Sequence, residues 1–468
     1  MLPVLLPFLL ACVTSVEAAA LSTVTLDYGT FTGLTNTTNG IIYFQGIRYA
    51  DPPVGELRWR APVSPPSTHL GNVNATALGF ACIVTTQKGS GATTDEDCLF
   101  GNVYIPIATT ARSQLPVMVY FHGGGFETGR TRDAPPENIL LGSAKPLIFI
   151  TFEYRLGQFG FLAGTPVHQS GQLNAGLLDQ RAELEWVQKY ISKFGGNPSG
   201  CGHIDNGSAT MACLRAAPTN TIATAGRNTL ANLTSSLYPF GPITDGSFIR
   251  QRPIEAFRDG NFIRVPVMFG SNTDEGANWS ATLDNPLANT SFPNAIEATV
   301  YNFLAGQNNT LTQASFQTAI TRFYPLSDYN GSFSLQGQQM YGEMRYICTA
   351  IMITGAAQDA GLKAYQYHWD NPTLGSTYAD ELAVFFNGDE VFDRDDEALA
   401  IAMRQFWTSF VISGVPTANS SISWKASSNS AGGPRILLHP GSMAMEEVPQ
   451  ALRARCAFWN GLASEIGT

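Results

Sequence analysis

Charged side chains are scarce in this sequence, and they do not gather into runs. Asp, Glu, Lys and Arg make up 14% of the 468 residues, and the formal net charge at pH 7 is -10. An acidic chain without a basic cluster is a poor partner for nucleic acid or for an anionic membrane surface. Because 44% of the residues are apolar, we expect a large buried core and not a disordered chain.

Long hydrophobic runs are also missing, except at the start of the chain. Residues 1–20 (MLPVLLPFLLACVTSVEAAA) are apolar and end in small residues, which predicts a secretory signal cleaved after Ala18 or Ala20. A signal anchor is the alternative, but Pro3, Pro7 and the alanine-rich end favour cleavage. No later run reaches the roughly 18 apolar residues of a membrane helix. We therefore predict a secreted, extracellular domain over residues 21–468, with no membrane span after signal removal.

Metal-binding patterns are absent as well. The sequence has no Cys-x-x-Cys and no Cys/His spacing of a metal site, so we predict no metal and no other cofactor. Of its seven cysteines, Cys12 leaves with the signal, and the six that remain form an even set suited to disulfides in an oxidising compartment. Those six allow many pairings, and the residues alone do not choose among them.

Acceptor sites for N-linked glycans are frequent, which agrees with secretion. An Asn-x-Ser/Thr sequon predicts a glycan on the surface of an extracellular protein. The sequons begin at Asn36, Asn74, Asn206, Asn232, Asn278, Asn289, Asn308, Asn330 and Asn419.

Short apolar runs alternate with helical patterns along the chain. Continuous apolar runs predict strands buried on both faces, at 115–121, 146–154, 265–270, 364–370 and 435–440. Apolar residues three or four apart predict helices at 176–194 and 397–414. This alternation favours an α/β architecture with a mainly parallel central sheet.

One segment breaks the alternation. After the helix that ends at Phe194, another strand is expected, but residues 195–218 (GGNPSGCGHIDNGSATMACLRAAP) contain no apolar run. The next convincing strand begins only at Val265.

Many motifs in a fixed order resemble the type B carboxylesterase and lipase family, whose relatives include the cholinesterases. They are FQGIRYADPPVGELRWRAP (44–62), EDCLFGNVYIP (96–106), VMVYFHGGGFETG (117–129), YRLGQFGFLAG (154–164), NAGLLDQRAELEWVQKYISKFGGNPS (174–199), FGPITDGSFI (240–249), GSNTDEG (270–276) and RCAFWNGL (455–462). The resemblance implies an α/β-hydrolase fold with helices on both faces of the sheet. It also implies the pairs Cys82–Cys98, Cys201–Cys213 and Cys348–Cys456, and attack on carboxylic esters by a serine that a histidine activates and a glutamate orients.

Two parts of that machinery match residues of this chain. In HGGGF, Gly124 and Gly125 stand where the family's backbone N–H groups face the developing oxyanion. Glu275 in TDEG stands at the position of the acid that holds the imidazole, with its neighbour Asp274 as the less favoured choice.

The nucleophile is missing. The family places its serine in Gly-x-Ser-x-Gly, on a turn between a strand and a helix, and no serine here has glycines two residues away on both sides. The motif ending in Ser199 normally leads into that strand and helix, but here it passes directly to sequence that resembles a later part of the family. We therefore predict that one interior strand and its following helix are missing near residues 199–201, and that Ser199 is a turn residue.

The base is missing too. Only His368 and His439 follow Glu275, as the order of the triad requires. His368 lies in a predicted strand and is expected to be structural, and His439 precedes a Pro-Gly turn. In the family's Gly-x-x-His-x-x-Glu-Leu motif, this chain has Tyr378 at the histidine position, and a phenol with a pKa near 10 is not a general base at neutral pH.

Two further residues, His122 and Glu153, are of secondary interest. His122, which precedes the glycines, is interpreted as structural support and not as the base. Glu153 stands where relatives usually carry an asparagine, and this departure predicts looser packing around Arg155.

Three hypotheses follow for function. The chain is an incomplete or miscalled product of an esterase gene, a secreted binding or adhesion protein of the family without catalysis, or a decayed product that does not fold. Tyr378 counts against simple omission of one segment, because that omission does not remove a histidine elsewhere. In each case the chain as written is predicted to be inactive toward the carboxylic esters that the family cleaves.

Overall fold

The computed structural model describes residues 21–198, 218–233, 235–308, 310–387, 392–420 and 422–466. Its strands are β1 Thr23–Leu26, β2 Gly29–Asn36, β3 Ile41–Arg48, β4 Asn72–Ala75, β5 Ala81–Cys82, β6 Thr94–Asp95, β7 Phe100–Pro106, β8 Val117–Phe121, β9 Ile148–Phe152, β10 Val267–Asn272, β11 Ala364–Trp369, β12 Arg435–Leu438 and β13 Ala444–Glu446. The predicted strands and the Cys82–Cys98 and Cys348–Cys456 disulfides are confirmed. The predicted signal, Ser199 and the Cys201–Cys213 pair lie outside the described residues.

Helices separate and cover these strands. The α-helices are α1 Glu137–Gly142, α2 Gly157–Gly160, α3 Thr165–Ser170, α4 Ala175–Tyr190, α5 Thr219–Asn232, α6 Pro253–Arg258, α7 Glu297–Gln307, α8 Gln313–Arg322, α9 Phe333–Gly342, α10 Cys348–Asp359, α11 Ala383–Phe386, α12 Arg394–Ser413, α13 Gln450–Gly461 and α14 Ala463–Ile466. A π-helix, Glu343–Ile347, joins α9 to α10, and 3₁₀ turns occupy Gly55–Leu57, Thr131–Asp133, Ile191–Phe194, Ser280–Thr282, Leu326–Tyr329 and Asp380–Leu382. No helix in the described ranges is long and apolar enough to cross a membrane.

The strands form two main sheets. One has the order β1-β2-β3-β7-β9-β8, with β4 paired to β2, and the other has the order β10-β11-β12-β13. The pairs β8–β9, β10–β11 and β11–β12 are parallel, whereas β1–β2, β2–β3, β3–β7, β7–β9 and β12–β13 are antiparallel. The pairs β2–β4 and β5–β6 are parallel too, so parallel and antiparallel pairing alternate and the sheets as a whole are mixed.

Residues 195–197 lie beside the chain just before β8, and the described range ends at residue 198. Leu115 N donates to the carbonyl of Gly195 at 2.8 Å, and Asn197 N donates to the carbonyl of Leu115 at 2.9 Å. This single parallel bridge, between Leu115 and Gly196, lies just before β8. No strand is found between β9 and β10 in the described part of the chain, and the predicted junction near 199–201 lies outside the described residues.

One apolar cluster joins the two sheets. Buried side chains from β3, β7 and β9 pack together with those of β11, β12 and α12, among them Phe149, Trp369 and Phe406. Met118 and Tyr120 of β8 and Met268 of β10 border the same cluster and are only half-buried. Both end strands therefore stand against a shared core.

Candidate functional site

The glycine loop follows directly from the carboxyl end of β8. Gly124 has φ +118° and Gly125 has φ +60°, backbone conformations that favour glycine. A Cβ at Gly124 would lie 2.3 Å from the carbonyl oxygen of Thr128, and one at Gly125 would lie 2.7 Å from the ring of Tyr238. Gly124 and Gly125 thus allow a close backbone turn that a side chain at either position would obstruct.

The amides of Gly124 and Gly125 are not used by the described part of the fold. The carbonyl of Gly124 accepts from the N–H groups of Glu127 and Thr128, each at 3.0 Å, which closes the turn. Within the described residues, the N–H groups of Gly124 and Gly125 donate to no protein acceptor. Such free, fixed donors are suited to an anionic oxygen.

His122 supports the loop from behind. Its ring is buried and stacks on Tyr154 at 4.4 Å, and its Nδ1 lies 3.0 Å from the carbonyl oxygen of Gly123. The Tyr154 hydroxyl donates to the His122 carbonyl at 2.7 Å. These contacts agree with a structural interpretation of His122.

The predicted looser packing around Arg155 stays a prediction, and Glu153 itself contacts Thr131 and lies near His122. The Glu153 carboxylate accepts from the N–H and the hydroxyl of Thr131, both at 2.8 Å, and its other oxygen lies 3.6 Å from His122 Nε2. Arg155 is held elsewhere, by a buried bidentate pair with Asp179 at 2.6 and 2.7 Å. Asp179 pairs with Nε and Nη2 of Arg155, whereas Nη1 is buried without a hydrogen-bond partner among the described residues.

Glu275 lies just past the carboxyl end of β10, on a loop tied to the segment that carries Tyr378. Asp274 pairs with Thr377 in a parallel bridge, and the side chain of Asn272 donates to the Thr377 carbonyl at 2.6 Å. The Glu275 side chain accepts from the N–H of Asn272 at 2.8 Å and is only 7% exposed. Burial is the main reason why its pKa rises to about 7, and the negative charge of Glu381 adds to the effect.

Tyr378 lies between the glycine loop and Glu275. One cavity of about 480 Å³ is lined by Gly123, Gly124 and Tyr378, and a second of about 300 Å³ is lined by Glu275 and Tyr378. The ring of Tyr378 contacts Trp279, with centroids 5.1 Å apart. Burial and then the charge of Glu275 raise its pKa above the ordinary value, so the phenol stays protonated at neutral pH.

Neither cavity brings an attacking group to the glycines. Of the described residues that line the two cavities, none is a serine or a cysteine, and the only imidazole is that of His122. His368 lies in β11, where its Nδ1 is 2.9 Å from Glu446 and its Nε2 is 2.9 Å from the Thr273 hydroxyl. The ring of His439 contacts the carbonyl of Pro440 at 2.8 Å.

Sequence reasoning missed two residues that hold the glycine loop. Glu127 is buried and accepts from the N–H of Phe240 at 2.8 Å, and burial raises its pKa to about 7. Tyr238 packs on Gly125 from the same segment. The signal for Glu127 was a charged residue inside an otherwise apolar glycine motif, but its partner lies over a hundred residues away, which no local pattern predicts.

The comparison with known proteins decides the family. A sequence profile described as the carboxylesterase family matches residues 20–201 and 199–459. The chain belongs to the carboxylesterase family. Its two matched stretches meet and overlap at 199–201, the position where the strand and helix are expected to be missing.

Individual relatives agree with this family. The chain is 26% identical over 523 residues to secreted lipase 1 of Botryotinia fuckeliana, covering 89% of each chain. It is 41% identical over 180 residues to para-nitrobenzyl esterase of Bacillus subtilis, covering 37% of this chain and 36% of that protein. The alignment with the lipase is longer than this chain of 468 residues, so positions of the lipase have no counterpart here.

Solved structures share the fold. Aspergillus niger EstA has a TM-score of 0.80 and 26% identity, covering 96% of this chain and 99% of its own. A structure described as PNB esterase has a TM-score of 0.73 and 23% identity, covering 93% of this chain and 99% of its own. At that identity the similarity shows the fold alone. This is the α/β-hydrolase fold that the motifs implied.

Proposed function

We propose that this protein is a secreted member of the carboxylesterase family that keeps an ester-binding pocket but lacks the pair of groups that performs hydrolysis. Gly124 and Gly125 are the oxyanion donors, Glu275 is the remaining acid, and Tyr378 replaces the histidine. The observation that carries this proposal is the lining of the two cavities at Tyr378, where the described residues include neither a serine nor a usable imidazole.

The glycine loop and the acid support ester binding. The N–H groups of Gly124 and Gly125 have no acceptor among the described residues, and Gly124 lines a cavity of about 480 Å³, a size that suits a small ester group. An ester carbonyl accepts hydrogen bonds from such donors, and charge developing on its oxygen is what they stabilise most. Without an attacker, however, the donors bind a ground state and do not lead to cleavage.

The absence of these groups determines how much slower hydrolysis is expected to be. Loss of the serine or histidine of a catalytic triad lowers turnover on the order of a millionfold. Oxyanion donors and binding alone leave roughly a thousandfold to ten-thousandfold over water. A protein with only these remnants is a binder and not a useful esterase.

Hydrolysis of p-nitrophenyl acetate by the purified secreted protein tests the proposal, with Bacillus subtilis para-nitrobenzyl esterase as the active control. We expect a rate that is not reduced by a serine-directed fluorophosphonate and no covalent phosphonate adduct in intact-mass spectra. Turnover that the fluorophosphonate abolishes, with one adduct per chain, would show that a nucleophile is present.

Two rival origins are separated by other measurements. If the chain is an incomplete gene product, the transcript contains further codons between those for Ser199 and Cys201, whereas an uninterrupted join rules this out. If the chain is a decayed product, it aggregates on secretion. A monodisperse protein with its disulfides formed supports the binding role.

A further inference from the structure

One cavity lies apart from the glycine loop, in the C-terminal half of the chain. Its volume is about 610 Å³, and it is lined by residues of the segments 257–264, 351–360, 430–431 and 453–460, all of which are described. None of its described lining residues also lines a cavity at Tyr378. Small-molecule sites commonly have volumes of about 300–1,000 Å³, so this cavity is large enough for such a ligand.

The floor of the cavity is apolar and firmly held. Ile351 of α10 and Cys456 of α13 are buried, and the disulfide from Cys456 to Cys348 ties α13 to the start of α10. Met352 and Ala356, on the same helix as Ile351, are half-buried and complete this surface. An apolar floor of this kind favours a ligand with an apolar body, because both surfaces leave water when they meet.

Two phenylalanine rings form one wall. Phe257 and Phe262 are half-buried and stack with their centroids 4.7 Å apart and their planes at 29°. The guanidinium of Arg264 lies 5.0 Å from the centre of the Phe262 ring and donates to the Gly260 carbonyl at 3.1 Å. Aromatic rings pack favourably on other rings in offset and edge arrangements, so this wall favours a flat aromatic body over an aliphatic chain.

The rim of the cavity carries a surplus of positive charge. Its charged lining residues are Arg258, Arg264, Arg453, Asp259 and Asp359. Arg258 and Asp259 form an exposed ion pair at 3.0 Å and so offset each other. Within the described ranges, Arg264, Arg453 and Asp359 form no ion pair, which leaves two cations against one anion. This balance is opposite in sign to the net charge of -10 of the whole chain, and it favours a ligand with a single negative charge.

We propose that this cavity binds a small aromatic monocarboxylate. The aromatic body packs on Phe257, Phe262 and the apolar floor, and the carboxylate binds to Arg453 and Arg264 at the rim. A guanidinium presents its N–H donors in a planar fork that matches a carboxylate, and hydrogen bonds between two charged groups are the stronger ones. The proposal does not depend on ester binding at Tyr378, because the described lining residues of the two sites are different.

Isothermal titration calorimetry of the unmodified full chain with 2-naphthoate tests this site. The analogue 2-naphthamide has the same rings without the charge, and decanoate has the charge without a ring. We expect 2-naphthoate to bind saturably and at least about tenfold more tightly than either analogue, because it alone suits both the phenylalanine wall and the arginines. Hydrogen–deuterium exchange is expected to slow at 257–264 and 450–461 when 2-naphthoate is added.

Substitutions at exposed positions of α13 locate the ligand. Arg453→Gln removes a charged donor fork and is expected to weaken binding at least about tenfold. Ala457→Leu fills part of the cavity and is expected to weaken binding as well. Arg322→Gln is the matched control and leaves binding unchanged, because Arg322 is also exposed and lies 5.6 Å from the ring of Phe323 but does not line the cavity.

The proposal fails if 2-naphthoate gives no binding heat up to its solubility limit, or if 2-naphthamide or decanoate binds as tightly. It also fails if Arg453→Gln binds 2-naphthoate as tightly as the unmodified protein does, or if slowed exchange is confined to other segments, since the ligand then binds elsewhere. The comparison of the three ligands and the exchange measurement use the unmodified protein, so a variant that does not fold leaves the answer intact.

Discussion

At the residue scale, the surroundings of Glu275 decide its protonation. In an intact triad an imidazole stands beside the acid and favours its charged form. Here the neighbours are the phenol of Tyr378 and the carboxylate of Glu381, and neither favours ionisation. Burial therefore prevails, and the pKa of Glu275 rises to about 7.

This shift predicts a pH dependence of stability. An unfolded glutamate releases its proton near pH 4.5, whereas folded Glu275 holds its proton up to about pH 7. The folded state thus binds more protons between these values, and the free energy of unfolding falls as pH rises through that window. The loss reaches about 1–3 kcal/mol for a group this buried.

Glu275→Gln removes that titration. We expect urea unfolding at pH 5 and pH 8 to differ less for Glu275→Gln than for the unmodified protein. Glu56→Gln, at an exposed position, serves as the control and leaves the difference unchanged. If the stability of Glu275→Gln depended on pH as strongly as that of the unmodified protein, the raised pKa of buried Glu275 would be contradicted.

Tyr378→His tests which of the two missing groups limits the chemistry. The new imidazole is expected to contact Glu275 and to lower its pKa, because a cation forms beside the carboxylate. Hydrolysis of p-nitrophenyl acetate is nevertheless expected to rise by less than about tenfold, since a base without a nucleophile supplies only general-base assistance. Histidine titration by NMR and initial rates are measured together. A gain of several hundredfold would mean that an attacking hydroxyl is already in place.

At the scale of the element, the glycine loop is shaped by contacts that come from two directions. Thr128 closes it from within the loop, and Tyr238 covers Gly125 from a segment far along the chain. Glu127 ties the same segment to the loop through Phe240. The oxyanion-type conformation therefore depends on tertiary packing as well as on glycine content.

Alanine substitutions in the loop separate these effects. Gly125→Ala places a Cβ against Tyr238 at a positive φ, and we expect it to lower the free energy of unfolding by about 1–3 kcal/mol. Gly123→Ala is the matched control, because its Cβ meets nothing within 4 Å, and its effect is expected to stay within about 0.5 kcal/mol. Urea unfolding measures both. Equal effects would mean that the Tyr238 contact does not form in solution.

At the scale of the whole molecule, the parting of the sheets has a measurable consequence. Strands paired on both sides hold their amides more firmly than strands paired on one side. We expect peptides covering β8 and β10 to exchange deuterium faster than those covering β9 and β3 in mass spectrometry. Protection of β8 equal to that of β9 would show that a strand covers its outer edge.

Burial also divides the glycosylation sites. The Asn289 amide is buried and donates to the Leu283 carbonyl at 2.9 Å, and Asn308 is buried as well. Glycans are expected on exposed sequons such as Asn74, Asn330 and Asn419 and not on these two. Glycopeptide mapping of the secreted protein measures the occupancy of each. A glycan at Asn289 would contradict the packing described around it.

Local and distant causes of structure separate clearly in this chain. Strands such as β8 and β10 and helices such as α4 and α12 followed from apolar periodicity within a few residues. Other features join positions far apart in sequence. They are the mixed pairing of the sheets, the hydrogen bonds between Glu153 and Thr131, and the hydrogen bond between Glu127 and Phe240. Periodicity carries no information about such partners, because it depends only on residues that are neighbours in sequence.

By itself, the sequence determined the family, the order of the elements, the glycine motif and the absence of Gly-x-Ser-x-Gly, because each of these is a property of neighbouring residues. Only the tertiary structure decided that Tyr378 lines one cavity with the glycine loop and another with Glu275, that Asn289 and Asn308 are buried, and that β8 and β10 are the end strands of their sheets among the described residues. Those features depend on burial, and residues far apart in sequence bury one another from water only when the chain is folded.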